Sequence, residues 1–297
     1  MVNYNYALGI DTGGTFTDGV IFDLDESTII AKTKVITTRY NLTLAITNCI
    51  DNLLGDLEQQ GIKEQVANNF RMVCLSTTLA TNATVEGQGA DVGLILVGID
   101  IREDLPTTQV ISVPGGYDIH GHVKTPVDLE KCSEAIQGMS GKVESFAISG
   151  YMSIRNPEQE LKVSRLIREM TGYPVVCGHQ LSGDLGVYER TVTAVLNARL
   201  LPLIAELIDA VQVTLDAKNI HAPLRIVKGD GSLISEKIAL EKPIETILSG
   251  PAASLIGAKA LAGLEEGVIV DIGGTTTDLA VLQRGKPILR DEGAKVG

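Results

Sequence analysis

Two short segments near opposite ends of the chain carry the same chemistry in the same order. The first is Asp11-Thr-Gly-Gly-Thr15, followed by Thr17 and Asp18; the second is Asp271-Ile-Gly-Gly-Thr275, followed by Thr276, Thr277 and Asp278. Glycine at Gly13, Gly14, Gly273 and Gly274 lets the backbone turn tightly and removes the side chains that would keep a polyphosphate from the amide N–H groups. The hydroxyls of Thr12, Thr15, Thr17, Thr275, Thr276 and Thr277 add further donors. Asp11 and Asp271 would repel phosphate on their own, so their place beside both loops makes sense around a divalent cation, with Mg2+ the natural candidate for these hard oxygen ligands. Either Gly-Gly segment alone reads as a tight turn. The matched repeat is what favours one nucleotide, held between two related lobes, with Asp11 and Asp271 as its catalytic, metal-holding pair.

Each segment is flanked by apolar runs, Ala7 to Ile10 and Gly19 to Phe22 around the first, Val268 to Val270 and Leu279 to Leu282 around the second. These predict two β-hairpins with polar tips. Neither fits the strand-to-helix phosphate loops, since there is no G-x-x-x-x-G-K-[ST] and no G-x-G-x-x-G opening a helix. Ser249 to Leu261 reads as a helix led by Pro251, with Gly250 just before it. A third strand at Ile29 to Val35 precedes an amphipathic helix capped by Asn41 and running through Leu57.

Met72 to Leu75 reads as a buried strand ending in Ser76-Thr-Thr78, whose hydroxyls and amides suit an anionic or carbonyl ligand at the start of the next helix. A plain helix cap is the simpler reading of those residues. Beyond the strand Val92 to Val97, Gly98 to Lys124 reads as an irregular surface excursion. It holds His120 and His122, which are better explained as loop residues than as a metal pair. The α/β pattern then resumes. A helix runs from Asp128 to Met139, and a strand from Val143 to Ile148. A helix opened by Asn156-Pro157 has Gln159 in capping-box position, and a strand spans Val175 to Cys177. This unit is expected to extend the first sheet in parallel. Tyr188 to Asp216 is a long helical pattern interrupted at Pro202 and is expected to begin a second lobe, followed by a strand at Leu224 to Val227, a turn at Lys228 to Gly231 and a short helix from Ile234 to Leu240.

The motifs taken together resemble the hydantoinase/oxoprolinase family of the actin-like ATPase superfamily. They are Gly9-Ile-Asp-Thr-Gly-Gly-Thr-Phe-Thr-Asp18, Ser76-Thr-Thr-Leu-Ala-Thr-Asn82, Tyr188-Glu-Arg-Thr191, Val195-Leu-Asn197 and Leu248-Ser-Gly-Pro-Ala252. The resemblance implies an α/β fold of actin-like, ribonuclease H-like lobes with two phosphate-binding hairpins. It also implies ATP and Mg2+ as cofactors and a cyclic amide such as a hydantoin or 5-oxoproline, or in related carboxylases a ketone, as substrate. The common step would be phosphoryl transfer to a carbonyl oxygen. Gly250 joins the nucleotide-side residues on this view, and Ser76, Thr77, Thr78 and Asn82 become substrate-side candidates. A second hydantoinase subunit or a homodimer is the partner it suggests. Where kinases and chaperones of the superfamily place a carboxylate near the crossing helix, this chain has Gly250 before Pro251; an amide oxygen carries its own lone pair and needs no base to attack phosphorus.

Residues 1–187 are expected to form an N-terminal lobe of this family and residues 188–297 the start of a second ATPase lobe. Family members continue well past the second hairpin, so the chain reads as truncated or as a lobe completed by another polypeptide, and little catalysis is expected of it alone. Two other readings stay open: a small-molecule kinase, which needs a general-base carboxylate, and a non-catalytic ATPase-like subunit that binds a partner.

The composition suits these readings. A chain of 297 residues, 44% hydrophobic and with 31 glycines, is long enough for two α/β cores. The formal charge of -12 and 4% aromatic content argue against a nucleic-acid partner. No signal peptide and no apolar stretch long enough to cross a bilayer is read, which suggests a cytoplasmic protein without membrane contact. Cys49, Cys74, Cys132 and Cys177 read as reduced core thiols. A catalytic role for Cys177 beside His179 lacks a third, orienting group.

Overall fold

The computed structural model describes residues 5–38, 41–101, 103–272 and 277–288. Contacts divide the chain into two compact units, residues 1–86, 204–240 and 245–297 in the first and residues 87–203 and 241–244 in the second. The expected boundary between residues 187 and 188 is not where this division falls. It runs instead through one continuous helix, and the described residues of both glycine hairpins fall in the first unit.

The first unit is built on an antiparallel meander, β1 (Tyr6–Thr12), β2 (Phe16–Asp23) and β3 (Thr28–Ile36), followed by helices α1 (Leu42–Gln59) and α2 (Lys63–Ala67), strand β4 (Phe70–Thr77) and helix α3 (Leu79–Val85). The side chain of Asn41 accepts from the Leu44 N–H and starts α1, as its sequence position suggests. Residues of one parity on β1, Leu8 and Ile10, are buried with Ile21 of β2 and with Ala45, Ile46, Cys49, Ile50 and Leu53 along α1. Alternation then turns Gly9 and Asp11 to the opposite face.

The second unit holds β5 (Val92–Val97), β6 (Gln109–Val113), α4 (Leu129–Met139), β7 (Ser145–Gly150), α5 (Glu158–Thr171) and β8 (Val175–Cys177). Its four strands form a separate parallel sheet in the order β6-β5-β7-β8. They do not extend the first sheet, which corrects the expectation above. The strand β6 lies within the segment read as irregular; between Pro106 and Pro114 its mixed edge-strand pattern carries no clean alternation. Strands β5 and β7 are buried along their whole length, as expected of a parallel sheet covered on both faces. Ile95, Phe146 and Ile148 pack with Ile136 and Ile167 of the flanking helices, and Leu94, Leu96 and Ala147 pack with Ala194, Val195 and Ala198.

Those last three residues open α6 (Val187–Ala217), a single helix with Pro202 inside it. By length and composition α6 is apolar enough to cross a bilayer, contrary to the sequence reading, and half of its most apolar stretch is buried in the protein. After it come β9 (Leu224–Val227), β10 (Leu233–Ser235), α7 (Glu236–Glu241), α8 (Ser249–Ala262), β11 (Gly267–Ile272), β12 (Thr277–Gln283) and β13 (Lys286–Pro287). Strand β9 does not start a new lobe. It pairs parallel to β4, completing a six-stranded sheet β10-β9-β4-β1-β2-β3, while β11-β12-β13 form a sheet of their own.

The two hairpins share a register: Asp11 stands opposite Asp18 and Thr12 opposite Thr17, as Asp271 stands opposite Asp278 and Ile272 opposite Thr277. Close packing of α1 onto the first hairpin depends on Gly19, where a Cβ would collide with Cys49 Sγ and stand 3.0 Å from Leu53 Cδ1 and 3.2 Å from Thr33 Cγ2. Overpacking of this kind costs about 1–3 kcal/mol. Gly19→Ala is therefore expected to lower the unfolding free energy by that amount, seen as a lower urea midpoint at an unchanged m-value, and an unchanged midpoint would show that α1 sits less tightly than described.

Candidate functional site

Strand register gathers four polar residues into one row. Ser76 of β4, Asp11 of β1, Asp18 of β2 and Lys34 of β3 are neighbours across the sheet. The Ser76 hydroxyl donates to Asp11 Oδ1 at 2.6 Å, and Lys34 Nζ donates to both oxygens of Asp18 at 2.8 and 2.9 Å. The row forms one end of a cavity of about 840 Å3 that has β1, β2 and β3 on one side and α8 on the other; Val20, Phe22, Ile29 and Leu261 make its walls largely apolar elsewhere. A cavity of this size is typical of a small-molecule site.

Helix α8 ties the two hairpins together. The Ser249 hydroxyl donates to the Thr77 carbonyl at 2.8 Å and accepts from the Thr77 N–H at 3.2 Å, which fixes the first turn of α8 against the end of β4. At Gly250 an added Cβ would stand 3.0 Å from Thr78 Cγ2 and 3.9 Å from Asp11 Oδ1. One turn further on, the Ser254 hydroxyl donates to Asp271 Oδ2 at 2.6 Å. Each hairpin aspartate thus accepts one short hydrogen bond from a serine, and the chain just ahead, Leu248, adopts a left-handed conformation with its N–H on Thr81 Oγ1.

The charges of Asp18 and Asp271 both reach Asp11. Burial pushes the Asp11 carboxyl above the usual carboxylate range; the Ser76 bond opposes this, the charges of Asp18 and Asp271 add to it, and Lys34 opposes it weakly. A buried carboxylate next to two others, with hard oxygen donors and one lysine at the margin, is a donor set that a divalent cation would neutralise. Asp11 and Asp271, each fixed by a serine, are the pair that could hold such an ion.

Several expected nucleotide contacts are not available. The Gly13 N–H already closes the hairpin onto the Phe16 carbonyl at 2.9 Å, and a Cβ there would lie 2.9 Å from the same oxygen, so this glycine serves the turn. Thr12 and Thr17 are fully buried on the α1 side of the sheet, and the Thr17 hydroxyl pairs with Thr37 Oγ1 at 2.9 Å. Both are corrected from phosphate ligands to core residues. Thr15 is exposed at the hairpin tip beside Gly14, and Thr277 is exposed at the start of β12. Gly273, Gly274, Thr275 and Thr276 lie outside the described residues.

On the substrate side, Ser76 is engaged with Asp11. Thr77 is buried, donating to the Thr12 carbonyl at 3.1 Å and accepting from the Leu79 N–H at 3.0 Å. Those two hydroxyls organise the site rather than face a ligand. Thr78 and Asn82 remain half-buried, with Asn82 Nδ2 3.4 Å from Thr78 Oγ1. The sequence reading missed Asp18 and Lys34, whose signal was the period-two spacing on the hairpin, and Ser249 and Ser254 on α8. Among the other expectations, Gln159 does not form a capping box: its Oε1 accepts from the Gly116 N–H and its Nε2 donates to the Thr125 carbonyl. Asp118 accepts from the His120 and His122 N–H groups and lies 3.1 Å from His122 Nδ1 in an exposed turn. The Cys177 thiol is pushed up to about 12, first by burial and then by the charge of Glu160, and is an inert core thiol.

Residues 7–171 match the family model of the hydantoinase/oxoprolinase N-terminal region, and residues 190–295 match that of hydantoinase/oxoprolinase. Among curated proteins, the chain is 27% identical to the caprolactamase subunit alpha of Pseudomonas jessenii, covering 96% of this chain and 44% of that one. It is 29% identical to the acetophenone carboxylase gamma subunit of Aromatoleum aromaticum, covering 93% and 42%. The crystal structure of the ATP-dependent caprolactamase from Pseudomonas jessenii superimposes with a TM-score of 0.76 at 26% identity, over 93% of this chain and 43% of that one. The α/β, actin-like fold expected from the motifs is thus the observed one. The chain spans less than half the length of these relatives.

The raised Asp11 carboxyl carries a sign. Native Asp11 holds its proton to higher pH than the unfolded chain does, so its contribution to stability is present at acid pH and is lost as pH rises through the native value. Asp11→Asn is therefore expected to raise the melting temperature of the ligand-free protein at neutral pH, with the gain shrinking as pH falls into the carboxylate range. Ser76→Ala removes the bond that opposes the shift, and should move the acid limb of metal-dependent nucleotide binding to higher pH. A destabilised Asp11→Asn protein at neutral pH would contradict this account.

Proposed function

The chain belongs to the hydantoinase/oxoprolinase family, and on that footing we propose that it is the nucleotide-handling part of an ATP-dependent enzyme that opens a cyclic amide by phosphorylating its carbonyl oxygen. The observation that supports this reading is that Asp11 and Asp271 meet the first two turns of α8, Asp11 beside Gly250 and held by Ser76, Asp271 held by Ser254. Relatives named as a caprolactamase and as subunits of larger enzymes support the substrate class and a partner subunit.

The lactam oxygen attacks the γ-phosphorus of ATP, forming an O–P bond while the bond to the β-phosphate oxygen breaks and ADP leaves. Water adds to the activated carbon, the C–N bond breaks and nitrogen takes a proton, leaving an acyl phosphate. A second water adds at the acyl carbon, and phosphate departs with the former carbonyl oxygen. A Mg2+ ion held by Asp11 and Asp271 would supply charge neutralisation on the transferring phosphoryl group. The chain's own contribution is positional. Ser76 and Ser254 fix the two carboxylates, and Gly250 leaves the approach beside Asp11 free of a side chain. A glycine rather than a carboxylate at position 250 fits a nucleophile that needs no deprotonation. The acetophenone carboxylase relative makes a ketone the second substrate class to try.

The test uses a lactam carrying 18O in its carbonyl, given to the native protein with ATP, Mg2+ and any co-purifying subunit. Transfer of the label into inorganic phosphate, with ADP formed only when lactam is present, is expected. Phosphate free of label would overturn the reading.

A further inference from the structure

A second group of buried polar residues lies wholly inside the second unit, at the carboxyl ends of β7 and β8. Glu160, in the first turn of α5, is fully buried. Its Oε1 accepts from the Gly150 N–H at 2.8 Å, and its Oε2 accepts from the His179 N–H at 3.1 Å and lies 2.6 Å from His179 Nδ1. An ionised carboxylate only accepts, so the proton of this short bond belongs to Nδ1, which in the neutral imidazole leaves Nε2 as the ring's acceptor. The ring keeps 15% of its surface exposed.

Arg190 packs on the same spot. It is 2% exposed, donates from its NH1 group to the Asp184 carbonyl and from its NH2 group to the Gly150 carbonyl, and approaches within 3.4 Å of where a Cβ would stand at Gly178. Its Nε–H has no hydrogen-bond partner among the described residues, and neither does the hydroxyl of Ser153, which lies against Gly150 and is 1% exposed. Two unpaired buried donors on residues packed around Glu160 are costly unless something meets them. The position matters as well. In open parallel sheets ligands bind outside the carboxyl ends of the strands, where the order reverses, and in the order β6-β5-β7-β8 that reversal falls between β5 and β7, the strand that ends at Gly150.

A metal ion is the first occupant to weigh, since Glu160, Cys177 and His179 bring ligand atoms within 4.8 Å of one another. Glu160 already accepts from N–H groups at both oxygens, and the Cys177 thiol, directed at the Glu160 carbonyl, is held protonated. Both features oppose coordination. The charges of Glu160 and Arg190 offset each other, which favours a neutral ligand. Such a ligand needs an N–H or O–H for His179 Nε2 and an oxygen for the unpaired donors, and a lactam carries both on adjacent atoms.

We propose that the second unit carries a small-molecule site at the ends of β7 and β8, in which His179 Nε2 accepts the N–H of a cyclic amide while Glu160, as a positioning residue, fixes the ring. The choice of ligand class rests on the function proposed above; the site itself does not.

The experiment is a titration of the whole chain with δ-valerolactam, without nucleotide, followed by the imidazole 15N resonances. The His179 Nε2 signal is expected to shift saturably. His179→Asn, which keeps a donor toward Glu160 and deletes Nε2, should bind the lactam roughly three- to tenfold more weakly, as one lost hydrogen bond implies, at an unchanged melting temperature. Glu160→Gln should alter the tautomer seen in the free protein. Asp11→Asn should leave the lactam titration untouched, so that failure of the nucleotide reading and failure of this one are told apart. A His179 signal that lactam leaves unmoved, equal binding by His179→Asn, or a response to inorganic phosphate in place of lactam would each overturn the proposal.

Discussion

A carboxylate that its own surroundings disfavour governs the first unit. Asp11 is fixed at the end of β1 by pairing on both sides, antiparallel to β2 and parallel to β4, and that pairing sets Asp18 on one flank and Ser76 on the other. Burial and two neighbouring carboxylates work against its charge, and a serine hydroxyl and a distant lysine return only part of the loss. Such a group is tolerated where it is used, and the native protein carries the cost as stability lost at neutral pH. The second aspartate follows from the first through α8, because Gly250 and Ser254 are one turn apart and cannot shift independently. Moving β1, β4 or α8 alone would separate the pair.

The second unit solves a different problem with the same parts. Its parallel strands are buried on both faces, so the polar groups that remain inside it stand at the strand ends. There Glu160 ties Gly150 to His179, and a glycine at 178 lets Arg190 close in. A sheet of this kind offers its carboxyl edge for binding almost by default, and the side chains gathered at that edge give it a donor and acceptor pattern.

Much of this was legible in the residues themselves. The hairpins, the Asn41 cap, the apolar face of α1 and the helix led by Pro251 follow from local pattern, which short-range sterics and capping decide. The site was legible in part. Asp11 and Asp271 stood out because a carboxylate beside a glycine turn is an oddity, but naming Thr12 and Thr17 beside them overlooked alternation: on a strand, neighbours of Asp11 and Asp18 face the other way. The polar row Ser76, Asp11, Asp18 and Lys34 needs the register of four strands, and the parallel return of β9 to β4 joins residues about 150 apart in the chain, which no local window can see. Glu160 was hidden for the same reason. It reads as a helix-start acid, and only the fold brings it to His179.

The central claim is that the two hairpin aspartates hold one metal-bound nucleotide, and calorimetric titration with ATP tests it most directly, with and without Mg2+, on the parent chain and on Asp11→Asn and Asp271→Asn. The account predicts binding that needs Mg2+ and is weakened at least about tenfold by each substitution, a loss of the size expected for one charged ligand. Binding that ignores Mg2+, or that survives either substitution intact, would contradict it.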